Sequence, residues 1–176
     1  MTRAAVRDGI AKYFGGPYVP EFRCYRPGPL LAYGLATVRP YLAKRVPDQD
    51  YTIGLPPGRG MGTYAVVHLE AANERREAWG GATSGWKHIT HAVTLQLFHL
   101  STQPLAEDAQ ADLDALLEAI GDLIHADRTL GEAVLQAGES TNGIRYWLSQ
   151  PTYDQGSEHV RTLATVSFDA DVYIQA

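Results

Sequence analysis

The sequence predicts an α+β domain: a mostly antiparallel sheet with a long amphipathic helix packed on one face. Three stretches carry that expectation. In 90–100, Val93, Leu95 and Leu97 share one parity and Thr90, Thr94 and Gln96 the other, which is the period-2 pattern of a half-buried strand. In 106–126, Ala109, Leu113, Leu116, Leu117, Ile120, Leu123 and Ile124 recur at helical spacing, with Glu107, Asp114, Glu118 and Asp122 on the other side. In 160–174, Thr162, Ala164, Val166, Phe168, Ala170, Val172 and Ile174 alternate with Arg161, Thr165, Ser167, Asp169 and Asp171, the clearest strand pattern in the chain.

The remaining elements follow in order. Residues 3–14 can form a short helix striped by Ala5, Val6, Ile10 and Phe14 and stopped by Gly15-Gly16-Pro17. About three turns of helix persist only if they pack on something. Pro17, Pro20, Pro27 and Pro29 then alternate with Tyr18, Phe22 and Tyr25, and prolines disfavour a sheet interior. Residues 1–29 therefore read as an arm whose aromatics meet a neighbouring subunit or fold back on their own, with 30–176 as the main domain.

In 30–44, Leu31, Leu35, Val38 and Leu42 have helical spacing, and a helix is expected despite Gly34 and Pro40. Residues 46–62 are rich in Pro and Gly and read as a loop. They contain no G-x-x-x-x-G-K-[ST], and Thr63 stands where the last Gly of G-x-G-x-x-G would be, so a phosphate-binding loop is not expected. A short strand is expected at 64–70, separated by the polar run 72–87 from the strand near Ile89. A loop of that length tends to be functional or disordered. It carries Arg75, Arg76, Trp79 and Trp86, which suggests a contact surface, or a solvated loop with its tryptophans tucked beneath it. After the long helix, Asp127–Gly131 turns the chain, Val134-Leu135 and 144–148 supply short apolar pieces that are edge strands or irregular, and 150–158 is a polar turn.

The chain has 176 residues, enough for one core without disulfides or metal. The lone Cys24 cannot form an intramolecular bridge, which points to synthesis in a reducing cytosol. The charged start, with Arg3, Arg7, Asp8 and Lys12, is unlike a signal peptide, and no stretch approaches the roughly 20 apolar residues of a membrane span, so a soluble protein is expected. A net charge of −5 argues against a surface that grips nucleic-acid backbone. The charge is unevenly placed: basic residues predominate before residue 50, and 105–139 is strongly acidic.

No catalytic constellation emerges. His88 and His91 are three apart, which in a strand puts them on opposite faces. His91 and His99 share a face but lie on the order of 26 Å apart along an extended strand, too far to share an ion. Asp169 and Asp171 share a face of the last strand and read as a solvent-facing edge before a catalytic pair. Cys24 has no neighbouring His to activate it, and G-x-S-x-G, H-E-x-x-H and C-x-x-C are absent from the sequence.

The order of the pieces is itself distinctive: VRPYLAKRVP, MGTYAVVHLE, the stretch ERREAWGGATSGWKHITHAVTLQLFHLS, the helix AEDAQADLDALLEAIGDLIHADRTLG, then QAGE and the closing VRTLATVSFDADVYI. Across 30–176 this resembles the tail terminator proteins of long-tailed, siphovirus-type phages of actinobacteria. The strongest parts are the G-G-x-T-S-G-W run, the AEDAQAD-led helix and the R-T-L-G after it. The resemblance implies a tail-terminator-like α/β domain that forms a homohexameric ring on the last ring of tail tube protein. That ring would end tube growth and offer a joining surface to the head-tail connector protein. It also implies a place in the virion tail at the head–tail junction after synthesis in host cytoplasm, DNA passing through the lumen without specific binding, and no cofactor, metal or catalytic residue. By position, Arg75, Arg76, Trp79 and Trp86 would anchor a tube or subunit contact. Tyr18, Phe22 and Tyr25 would lie on a neighbour, and Asp114, Glu118 and Asp122 would line the lumen. The alternatives are another head-tail connector or tail-completion protein and, behind both, a small metal-dependent enzyme using the histidines or Asp169 and Asp171.

Overall fold

The computed structural model describes residues 2–21, 23–25, 28–41, 62–77, 85–101, 103, 105–153 and 160–175. These form a mixed α and β fold in which three long strands make the centre of a sheet. The strands are β4 (Gly62–Glu77), β5 (Trp86–Leu100) and β9 (Val160–Gln175). The described sheet runs β1 (Tyr18–Val19), β2 (Cys24–Tyr25), β3 (Leu35–Arg39), β4, β5, β9, with β6 (Gln136–Ala137), β7 (Arg145–Leu148) and β8 (Thr152–Tyr153) all pairing with β9. Each described pairing is antiparallel except β3 with β4.

Alternation decides which side of the sheet each residue joins. Ala65, Val67 and Leu69 of β4, Val93, Leu95 and Leu97 of β5, and Ala164, Val166, Phe168, Ala170 and Val172 of β9 align in cross-strand rows and form one apolar face. Helix α2 (Ala106–Ala126) lays Leu113, Leu116, Leu117, Ile120 and Ile124 on that face, all nearly or fully buried. Its bounds coincide with the helix read from the spacing. Helix α1 (Arg3–Phe14) joins the same core through Val6, Ile10, Ala11 and Phe14. Thr2 caps α1 by accepting the Ala5 N–H at 3.2 Å, and the Tyr13 hydroxyl donates to the Leu123 carbonyl at 2.8 Å, tying the two helices together. The Arg3 guanidinium donates to the Leu69 carbonyl. Both helices thus lie on one face, and the opposite face carries none among the described residues.

Two expectations change and two open alternatives are decided. Of the two alternatives for residues 1–29, the described residues fold back on their own sheet: a three-turn helix needs an apolar partner, and α1 finds it beside β3 and β4. The expected helix over 30–44 is a 3-10 turn (Pro29–Tyr33) followed by β3, because Gly34 takes φ +85° and ends the turn; residues 42–44 lie outside the described set. The polar run 72–87 is strand at both ends, since β4 continues to Glu77 and β5 begins at Trp86. The two apolar pieces left open after α2 resolve as a loop leading into β6 and as the edge strand β7. The loop over 46–61 and residues 154–159 lie outside the described residues.

The turn after α2 is held by one side chain. Asp127 accepts from the Thr129 N–H (2.9 Å), the Thr129 hydroxyl (2.7 Å) and the Gly131 N–H (2.9 Å). These bonds, the Thr129 hydroxyl first, hold the Asp127 carboxyl below the usual carboxylate range. They also fix a run of left-handed backbone at Leu130 (φ 49°), Gly131 (φ 67°) and Glu132 (φ 66°), and Leu130 is fully buried as a result. Gly28 is required by space: a Cβ there would stand 1.6 Å from the Gly15 carbonyl oxygen. No helix of the described residues is long and apolar enough to cross a membrane.

Candidate assembly surface

β4 outgrows the core. The β3 pairing ends at Arg39 opposite Val66, and from Glu70 through Arg76 every β4 residue is exposed. An irregularity between Leu69 and Ala71 marks the transition. Beyond it, β4, β5 and β9 continue as a three-stranded ribbon about 20 Å long at roughly 3.3 Å per residue.

On the helix-free face of this ribbon three rows stand in register: Asn73–Thr90–Asp171, Arg75–His88–Tyr173 and Glu77–Trp86–Gln175. The His88 ring stacks on Tyr173 with centroids 4.7 Å apart and planes 7° from parallel. His88 Nε2 lies 3.0 Å from Asp171 Oδ1, and the Thr90 hydroxyl donates to that same oxygen at 2.6 Å. Trp86 is 49% exposed and Tyr173 39%. Large apolar rings beside a guanidinium, fixed on strands, are the side-chain types that dominate protein–protein contacts. On the other face of the ribbon, Glu74 pairs with Lys87 at 2.8 Å. Both of those groups are well solvated, so the pair adds little stability.

The residues singled out by sequence are therefore divided. Arg75 and Trp86 share a face in adjacent rows, whereas Arg76 points to the helix side opposite Lys87. Trp79 and Phe22 lie outside the described residues. Tyr18 is 47% exposed, but Tyr25 is buried in the core and its hydroxyl donates to the Asp8 carboxylate, which removes it as a surface anchor. Burial, then that bond, pushes the Tyr25 phenol well above its ordinary value. The rings of Tyr18 and Tyr25 lie 5.1 Å apart and, with Asp8, Lys12 and Tyr41, line a cleft of about 660 Å³. The Arg7 guanidinium stands 4.2 Å over the Tyr41 ring. Asp114, Glu118 and Asp122 are exposed on the outer side of α2.

His88 and Tyr173 belong to the patch although sequence reading did not assign them to it. The signal was the parity of the two central strands, which places both opposite Arg75. Asp169 and Asp171 share the open face as expected, but each has its own partner: Asn142 Nδ2 donates to Asp169 at 3.5 Å, and Asp171 holds His88 and Thr90. His91 and His99 face the helices instead. His99 Nδ1 bonds the Thr63 hydroxyl at 2.7 Å, while His99 Nε2 and His91 Nδ1 are buried without hydrogen-bond partners among the described residues. Burial lowers both imidazoles; the Arg3 charge adds to this at His91, and Asp112 opposes it at His99. Among the described residues no group of three or more His, Cys, Asp or Glu is placed to hold a metal ion. No protein-family model matches the chain, and no curated protein sequence matches it.

Proposed function

We propose that this chain is a structural virion protein of the tail-terminator type: a ring-forming subunit that caps a phage tail tube, ends its polymerisation and presents the joining surface to the head-tail connector protein. The observation that carries the reading is the ribbon tip, where Arg75, His88, Tyr173 and Trp86 share the helix-free face of the sheet, with Arg75, Trp86 and Tyr173 exposed. Aromatic groups set on strands lose little side-chain freedom on docking, which suits a surface that must seat on another protein. The order of sequence blocks that resembles tail terminators supports the same role. So does the negative net charge, since like charge keeps DNA from sticking to the wall of a ring through which it slides. Homohexamer formation, contact with the tail tube protein and a position at the head–tail junction belong to this proposal.

Polymerising tail tube protein with and without the chain tests it. Electron microscopy should record short tubes of narrow length distribution with the chain present, and Trp86→Ala should lose the effect while keeping the monomer's melting temperature within a few degrees. Tubes of unchanged length together with binding to connector protein would favour a connector or tail-completion subunit instead.

A further inference from the structure

We propose that the helix-free face of the β4–β5–β9 sheet receives the acidic α2 face of a second copy of this chain. This rests on the ring reading above and names the surfaces that make the ring. Two observations carry it. The open face presents Trp147 (53% exposed) and exposed Arg145 on β7, in the rows of Thr165 and Ser167, and Arg75 with Trp86 and Tyr173 at the ribbon tip. Of the three carboxylates on that face among the described residues, Asp169 and Asp171 are hydrogen-bonded within the subunit and Glu77 stands at the end of the ribbon one row beyond Arg75, so Arg75 and Arg145 are the groups there with which an acidic partner would pair. On the far side of the molecule, 105–127 contains seven carboxylates and no Lys or Arg, and Asp108, Asp112, Asp114, Glu118 and Asp122 are all exposed.

The spans agree. From the Ser167 row of Arg145 to the Tyr173 row of Arg75 is six residues of strand, about 20 Å. From Asp108 to Asp122 is fourteen residues of helix, about 21 Å. Like charge opposes α2 docking on α2, so the complementary partner for the acidic face is the open sheet of another copy. The two surfaces lie on opposite sides of a two-layer molecule. The contact is therefore head-to-tail, the kind that closes into a ring when the rotation allows.

The test is a charge swap in the full chain. One variant carries Glu118→Lys and Asp122→Lys; the other carries Arg75→Glu and Arg145→Glu. All four sites are exposed, and circular dichroism and thermal melting verify that each variant folds. Each variant alone should self-associate on the order of tenfold or more weakly than the unaltered chain in low salt, by sedimentation velocity and native mass spectrometry. Mixed one to one, they should recover assembly as an alternating species, because each supplies the surface the other needs. Self-association of either variant equal to that of the unaltered chain overturns the contact, and so does a mixture that stays dissociated. Such a result would leave the α2 carboxylates available to line a lumen. The tube-length assay is read separately: capped tubes with an ineffective swap sink this contact alone, and an effective swap with uncapped tubes sinks the terminator reading alone.

Discussion

Leu116→Ala is the most direct trial of the architecture, because Leu116 is the centre of the α2 stripe and is 0% exposed. The substitution removes three buried carbon atoms and leaves a cavity between α2 and the rows of β5 and β9. A sheet whose central strands are paired along their length cannot fold inward to close that space, so the loss should sit in the middle of the range for buried Leu→Ala, about 3–4 kcal/mol. A domain of this size has on the order of 10 kcal/mol in total. At roughly 2–4 °C per kcal/mol the melting temperature should fall by about 6–16 °C. Urea and thermal unfolding followed by circular dichroism read the two quantities, with Glu118→Ala on the solvent side of the same helix as the control at less than about 0.5 kcal/mol. A loss below about 1 kcal/mol for Leu116→Ala would mean that α2 is not seated on the sheet, and the fold described above would be wrong with it.

Three other outcomes follow from the packing. His91 and His99 resist protonation in the folded chain more than in the unfolded one, so stability is complete above pH 6.5 and falls as pH is lowered through that value, levelling once the folded state also takes up protons; urea titrations between pH 8 and pH 4.5 measure it, and His99→Gln should flatten part of the curve. Gly28→Ala forces the new methyl group against the Gly15 and Phe14 carbonyl oxygens, which are backbone and cannot swing away, so thermal melting should register a loss of about 2 kcal/mol or more. Asp127→Ala frees three donors and releases the left-handed run at 130–132, which hydrogen exchange should detect as faster exchange in 128–134 with the β-sheet amides unchanged.

The parts of the fold legible in the sequence were those where periodicity was strong and unmixed. α2 and the core stretch of β9 alternate without interruption, and their bounds could be read directly. At β3 the sequence misleads, because Leu31, Leu35, Val38 and Leu42 share helical spacing while Gly34 decides the outcome through its positive φ. The ribbon tip is hidden for a different reason. Its β4 residues are exposed on both faces, so no burial pattern distinguishes Ala71–Arg76 from a loop, and only pairing with β5 makes it strand. For the candidate surface, the sequence offered residue types without facing. Trp86 and Arg75 were recognisable as contact chemistry, but their shared side, the opposite side for Arg76, and the partnership with His88 and Tyr173 depend on register. Tyr25 failed as an anchor because proline-rich composition suggested projection, whereas its ring completes the core under α1.

The irregularity at Glu70 sets how this protein could change over time. Leu69 faces Val93 and Ala71 faces Ala92, so Glu70 is the residue without a partner in β5. Losing it would straighten β4 while keeping every cross-strand pair and every facing. Losing any one residue from 72–76 would turn each position beyond it to the other side, carrying Trp86's neighbours away from it. The strand is thereby divided into a length answerable to the core and a length answerable to whatever the tip meets, with a single dispensable residue between them. A lineage could re-aim the tip at a different partner through that one position without rewriting the core.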